Sequence, residues 1–136
     1  MTNPAENIRL SNPENMAKPT GYSHVAEVTG GRLIFISGQV ALDGDGNLVG
    51  PGDMEAQARQ VFENIKTVLE SCGATFANVV KLTFFTVDFS QQPIVRKIRD
   101  QYINPAQPPA SSAVEVRKLF RDDILIEIEA VAAVPA

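Results

Sequence analysis

The chain has little of the chemistry on which many enzymes depend. Among 136 residues there is one cysteine, one histidine and no tryptophan. A single cysteine cannot form an internal disulfide, and its use fits a reducing compartment. With one histidine, His24, and no cysteine cluster, a zinc site has no ligand set. No apolar run reaches the roughly 18 residues that a membrane span needs. Met1 to Asn15 is polar, holds two prolines and lacks the apolar stretch of a signal peptide. Gly-x-Ser-x-Gly, the phosphate loop and the dinucleotide fingerprint are all missing. Basic charge is scarce too: 12 basic side chains face 16 acidic ones, a net charge of −4. Neither nucleic acid nor a membrane is expected as a partner. The basic spots at Arg96, Lys97 and Arg99 and at Arg117, Lys118 and Arg121 read as solvated faces. The expectation is a soluble cytoplasmic protein.

What is present is an ordinary globular composition, 44% apolar, in a length that suits one core. Residues 1–20 read as an N-terminal arm that orders against the body or a neighbouring subunit, and residues 21–136 as one domain. Tyr22–Val28 and Arg32–Ser37 read as strands joined at Gly30-Gly31, a hairpin signal. Leu33-Ile34-Phe35-Ile36 is apolar throughout, which predicts a strand covered on both faces. Asp43-Gly44-Asp45-Gly46-Asn47 is a turn. The twelfth position from Asp43 is Met54, so the bidentate glutamate of a calcium loop is missing.

Residues 53–72 carry an apolar stripe at helical spacing: Met54, Ala58, Val61, Phe62, Ile65, Val68, Leu69 and Cys72. Asp53 caps the start and Gly73 supplies a left-handed stop. Arg59–Glu63 and Lys66–Glu70 are spaced to pair on the outer face. Cys72, at a helix C-terminus, reads as core packing because the dipole there disfavours a thiolate. Val79–Val87 predicts a strand with Lys81, Thr83, Phe85 and Val87 on one face. A shorter helix opens at Asp88 or Ser90, turns Ile94, Val95, Ile98 and Tyr102 inward, and stops at Asn104-Pro105. Pro108–Val116 and Ile124–Ala132 form a closing pair of strands. The last of these holds two carboxylates, Glu127 and Glu129, on a shared face. The order β-β-α-β-α-β-β predicts an α+β sheet with both helices on one face. The other face stays apolar and calls for an oligomer to cover it.

Three motifs fall in this order: Ile36-Ser37-Gly38-Gln39-Val40; Ala56-Gln57-Ala58-Arg59-Gln60 with Asn64-Ile65; and Pro109-Ala110-Ser111-Ser112-Ala113-Val114-Glu115-Val116 before Ile126-Glu127-Ile128-Glu129-Ala130. Together they resemble the RidA/YjgF family of small imine- and enamine-hydrolysing proteins, across roughly residues 22 to 133. The resemblance implies a chorismate-mutase-like α+β subunit, two helices on one sheet face, and a homotrimer whose intersubunit clefts take a small enamine, imine or keto acid. It implies deaminase chemistry, in which 2-aminoacrylate or a related imine becomes a keto acid and ammonia. No metal or organic cofactor takes part. Some relatives have been described as ribonucleases, a reading that the negative charge of this chain opposes.

The resemblance also assigns roles. Glu127 matches the acidic residue that positions or activates water. Imine hydrolysis needs water delivered to carbon and a proton delivered to nitrogen, both work for a carboxyl group. A glutamate bonded to backbone at a subunit interface remains the plainer alternative. Ser37 and Gly38 match the turn that faces the ligand, and Tyr22 a tyrosine at the cleft border; a plain strand end and a turn aromatic are the alternatives. Where the family carries an arginine that grips a carboxylate by two parallel charge-assisted bonds, this chain has Ser111. Arg117 stands six residues further on, about 20 Å along an extended strand, and is out of reach. Arg9, Arg32, Arg96 and Arg99 are the cations that a neighbouring subunit could bring. Hence the expectation is an atypical enamine/imine hydrolase that is not a standard 2-aminoacrylate deaminase. The alternative is a non-catalytic ligand-binding or protein-interaction trimer. His24, near Tyr22, is an outside candidate for proton transfer.

Overall fold

Hydrophobic spacing and caps set the long helix. In the computed structural model, which describes residues 3–136, α1 spans Met54–Ser71. Asp53 accepts the Ala56 N–H at 3.1 Å as its N-cap, and Gly73 takes φ +73° just past its end. Its stripe of Met54, Ala58, Val61, Phe62, Ile65 and Leu69 is buried against a four-stranded sheet. Gln57 is buried with them. Its Nε2 donates to the carbonyls of Gly50 and Asp123, and its Oε1 accepts the Leu125 N–H at 2.9 Å. The expected Arg59–Glu63 and Lys66–Glu70 pairs do not form. Arg59 donates instead to Gln101 at 2.9 Å, and Glu63 accepts the Tyr102 hydroxyl at 2.6 Å. For Arg59 and Glu63, bonds to Gln101 and Tyr102 displace a pair that stabilises a helix by only about 0.2–0.5 kcal/mol.

The sheet is built from β3 (Arg32–Gln39), β4 (Val79–Thr86), β5 (Ala110–Glu115) and β6 (Ile126–Val134), in the order β3-β6-β4-β5. The last strand inserts between β3 and β4, antiparallel to both, while β5 runs parallel to β4 at the edge. The two closing strands are therefore not a hairpin. A parallel neighbour requires a crossover, which α2 (Gln92–Arg99) provides between β4 and β5. Both helices cover one face, as the pattern predicts. Val95 and Ile98 of α2 are buried, but Ile94 is exposed. A short turn at Phe89–Gln91 precedes α2 and is capped by Asp88, which accepts the Ser90 N–H at 3.1 Å.

Two strands stand outside this sheet. β1 (Ile8–Ser11) and β2 (Val25–Val28) pair antiparallel with each other. The expected pairing of β2 with β3 does not occur. Gly30 and Gly31 do turn the chain, at φ +63° and +89°. A Cβ on Gly31 would run into the Val134 carbonyl, so the chain passes over the end of β6, and β6 takes the place beside β3. Ile8 packs with Val80 and Ala133, which seats β1 on the sheet. Met1 and Thr2, the first residues of the expected arm, lie outside the described residues.

Alternation survives where the sequence hides it. Ile34 and Ile36 are buried under α1, whereas Leu33 and Phe35 are 57% and 75% exposed. In the single chain, β3 is thus covered on one face and not on both. Leu33 and Phe35 share the second face with Lys81, Thr83, Phe85, Glu127 and Glu129; β1 packs over one end of it, at Val131 and Ala133, and leaves the rest uncovered.

Candidate functional site

A cleft of about 190 Å³ lies on the helix side of β5, lined by Tyr22, Phe89, Gln92, Arg96, Arg99 and Ser111, among others. Its frame is tied at each corner. Ser23 bonds the Pro108 and Pro109 carbonyls, which lays the Tyr22 loop beside the start of β5. Arg99 is buried and donates through Nη1 to Gly21 O at 2.8 Å. Asp100 accepts from its Nε and Nη2 at 3.0 and 2.8 Å. Gly21 is at φ +78°, which favours glycine, and a Cβ there would press on the Arg99 guanidinium at 3.0 Å. At the other end, Glu115 of β5 accepts the Phe89 N–H at 2.8 Å. The neighbouring Asp88 carboxyl is held below the usual carboxylate range, first by the Ser90 hydroxyl and then by Gln91.

Gln92, Arg96 and Arg99 follow at steps of four and three, so they form one stripe along α2 that faces β5. Arg99 is committed to Gly21 and Asp100. Arg96 is exposed and has no ion-pair partner among the described residues. The Gln92 Oε1 is buried without a hydrogen-bond partner among the described residues.

The second group of predicted residues lies elsewhere. β3 bulges between Ile36 and Gln39, and this bulge carries Ser37 and Gly38. Glu127 packs directly on Gly38: a Cβ at Gly38 would lie 2.7 Å from its carboxyl carbon. The sequence motifs that pointed to Ser37, Gly38 and Glu127 are brought together here. Glu129 shares that face and borders a shallow pocket with Ser37, Lys81 and Thr83.

The two groups do not meet within one chain. Ser111 pairs with Leu82, and Leu82 with Ala130, all on the helix side. Glu127 pairs with Phe85 on the opposite face. Two strand spacings and three residues separate Glu127 from Ser111, roughly 14 Å at standard sheet dimensions.

The family model described as Endoribonuclease L-PSP matches residues 13–134. This chain belongs to the RidA/YjgF family. A Yersinia pestis protein of unknown function from the conserved Rid family, YyfB, superposes with a TM-score of 0.85 at 40% identity, over 94% of this chain and 99% of that one. RidA from a Psychrobacter species superposes with a TM-score of 0.71 at 28% identity, over 96% and 100% of the two chains. Among curated relatives, a RutC family protein of Pyrococcus horikoshii is 38% identical over 120 residues, 88% of this chain and 92% of the relative. The likeness gives this Rid-family chain its chorismate-mutase-like fold.

Other expected residues fall away from the cleft. His24 is bonded by its Nε2 to the Ala17 carbonyl at 2.8 Å and meets the Tyr22 ring edge-on, so the arm holds it. Arg32 donates to the Cys72 carbonyl at 3.0 Å, at the far end of α1. Arg96 and Arg99 do line the cleft, but from the same chain as Ser111 and not from a neighbour. Gln92 gave no signal of its own in the sequence; only its spacing of four from Arg96 could have singled it out.

Proposed function

We propose that this Rid-family chain is an enamine or imine hydrolase, with its reactive centre assembled between copies of a homotrimer. The observation that carries the reading is Glu127, whose carboxylate is seated on the bulged Ser37-Gly38 turn of the uncovered sheet face. A carboxylate beside a backbone turn and a hydroxyl is a suitable place to hold water against a C=N bond. Tyr22 and Ser111 of a second copy would close the site from the helix side.

The chemistry is balanced by water alone. An enamine first takes a proton at carbon and gives one up at nitrogen, becoming the imine. Water adds to the imine carbon while Glu127 takes its proton and returns one to nitrogen. The resulting carbinolamine breaks its C–N bond, leaving a keto compound and ammonia. Ser37 and the Gly38 N–H bind the oxygen that forms. Ser111 offers one neutral donor in place of a guanidinium, so the substrate is not 2-aminoacrylate held in the usual way.

The test is ammonia and keto-acid release from a panel of enamines and imines, with Glu127→Gln beside the wild type. The variant is expected to lose turnover by roughly 100-fold or more and to keep ligand affinity. Little acceleration is expected on 2-aminoacrylate itself. A wild type that binds small acids yet turns over none of the panel would overturn the hydrolase reading in favour of a non-catalytic ligand-binding trimer.

A further inference from the structure

The stripe along α2 has a chemistry that the proposed reaction does not use. Arg96 brings a guanidinium to the cleft wall opposite Ser111 and has no carboxylate partner among the described residues. One helical turn earlier, Gln92 lines the same cleft, and its Oε1 is buried behind the wall with no hydrogen-bond partner among the described residues. Buried acceptors are nearly always paired in folded proteins, so a turn of the Gln92 side chain that carries its oxygen into the cleft to meet a ligand N–H would relieve an unmatched group. An unpaired guanidinium points to an anion with planar oxygens. Residues four apart on a helix have Cβ atoms roughly 5–6 Å apart, a spacing that suits one small molecule bearing both groups.

We infer that Arg96 is the carboxylate anchor of this cleft, with Gln92 Oε1 receiving the ligand's N–H, so that the grip missing at Ser111 is supplied from α2. The ligand class is a small carboxylic acid with nitrogen on the adjacent carbon: an amino, imino or enamino acid. This deepens the hydrolase reading and rests on it for the reaction, but acid binding is measured without turnover. Arg99, held by Asp100 and Gly21 through one N–H on each of its three nitrogens, is a positioning residue that fixes the wall on which Arg96 stands. An acid gripped from the helix wall sits across the cleft from the strand position. That displacement favours carbon chains longer than that of 2-aminoacrylate.

Calorimetric titration of the full-length protein with 2-oxobutyrate, its methyl ester and 2-aminobutyrate tests the assignment. The wild type is expected to bind the two acids and to reject the ester. Arg96→Ala should weaken both acids by at least roughly tenfold, the loss expected for a charge-assisted bond. Adding Ser111→Arg to Arg96→Ala should restore binding, a gain that misfolding cannot produce. Gln92→Leu should weaken 2-aminobutyrate by roughly tenfold and leave 2-oxobutyrate within about twofold. Unchanged acid binding in Arg96→Ala overturns the anchor, as does ester binding equal to that of the acid or a wild type that binds neither acid. Equal effects of Gln92→Leu on the two acids overturn the role of Gln92. Loss of acid binding in Arg96→Ala, in a protein that turns over nothing, upholds the anchor and removes only the hydrolase reading.

Discussion

Gly38 is where the candidate chemistry can be tested with one added carbon. A methyl group there would lie 2.9 Å from Glu127 Cγ and 2.7 Å from Cδ, too close for both to stay. Glu127 is the part that gives way, because its carboxyl end is flexible and its neighbour is backbone. Gly38→Ala is therefore expected to cut turnover by about tenfold or more through misplacement of the carboxylate. The melting temperature should change by no more than a few degrees, since Gly38 is not at positive φ. Paired kcat and thermal-melt measurements check this; a large fall in stability with intact turnover would contradict it. At this scale the sequence is informative where a short motif fixes both residue type and spacing, as at Ser37-Gly38 and Glu127. It offers Arg96 only as one of four candidate cations and is silent about Gln92. Their side chains look like any solvated helix face until the crossover lays α2 against β5.

Between elements, the seams are held by a few polar side chains, and two predictions follow from them. Gln57 ties α1 to the loop before β6 with one donated and one accepted hydrogen bond, and donates a third to Gly50 ahead of α1. Gln57→Leu would put an apolar side chain at a fully buried position and take the partner from two part-buried carbonyls and one part-buried N–H. A loss of about 2–4 kcal/mol is expected by denaturant unfolding. The second seam joins α1 to the turn after α2, where the Tyr102 ring stacks on Phe62 at 5.1 Å and its hydroxyl donates to Glu63. Burial, and then the Glu63 carboxylate, push the Tyr102 hydroxyl up to about 12, from an ordinary value of 10.0. The folded state thus keeps a proton that the unfolded chain releases. This contribution to stability is complete below pH 10 and disappears as pH rises towards 12. Tyr102→Phe should remove that part of the alkaline slope, read from unfolding midpoints between pH 9 and 12. Helix α1 was legible to the residue because its stripe and both caps are local signals. Strand partners were not: β5 and β6 are adjacent in sequence and look like a hairpin, yet β4 lies between them. Pairing order is decided by the whole sheet, which no short stretch encodes.

For the molecule as a whole, the decisive fact is that the two groups of candidate residues occupy opposite sides of one sheet. Tyr22, Ser111 and Arg96 open on the helix side, while Ser37, Gly38 and Glu127 open on the uncovered face. No motion of a single folded chain brings them together, because the sheet and its core lie between. A second copy, whose uncovered face meets the first copy's cleft edge, can do so. The uncovered face also has an apolar reason to be covered, since Leu33 and Phe35 stand in water on a single chain. The all-apolar run at Leu33–Ile36, which reads as a strand buried on both faces, fits the proposed assembly better than the isolated subunit. Phe35 is therefore the residue at which assembly and folding can be separated. At 75% exposure, Phe35→Glu should alter the stability of the isolated chain by no more than about 0.5 kcal/mol. In the proposed trimer it would bury a carboxylate beside Glu129. Light scattering should then show a monomer in place of the oligomer, with circular dichroism unchanged. Turnover on the enamine panel should vanish with the oligomer, while binding of acids at Arg96, which needs one chain alone, should persist within about threefold. A variant that is monomeric and still fully active would show that the reactive centre is complete in one chain, and Glu127 would have to be released from its part in it.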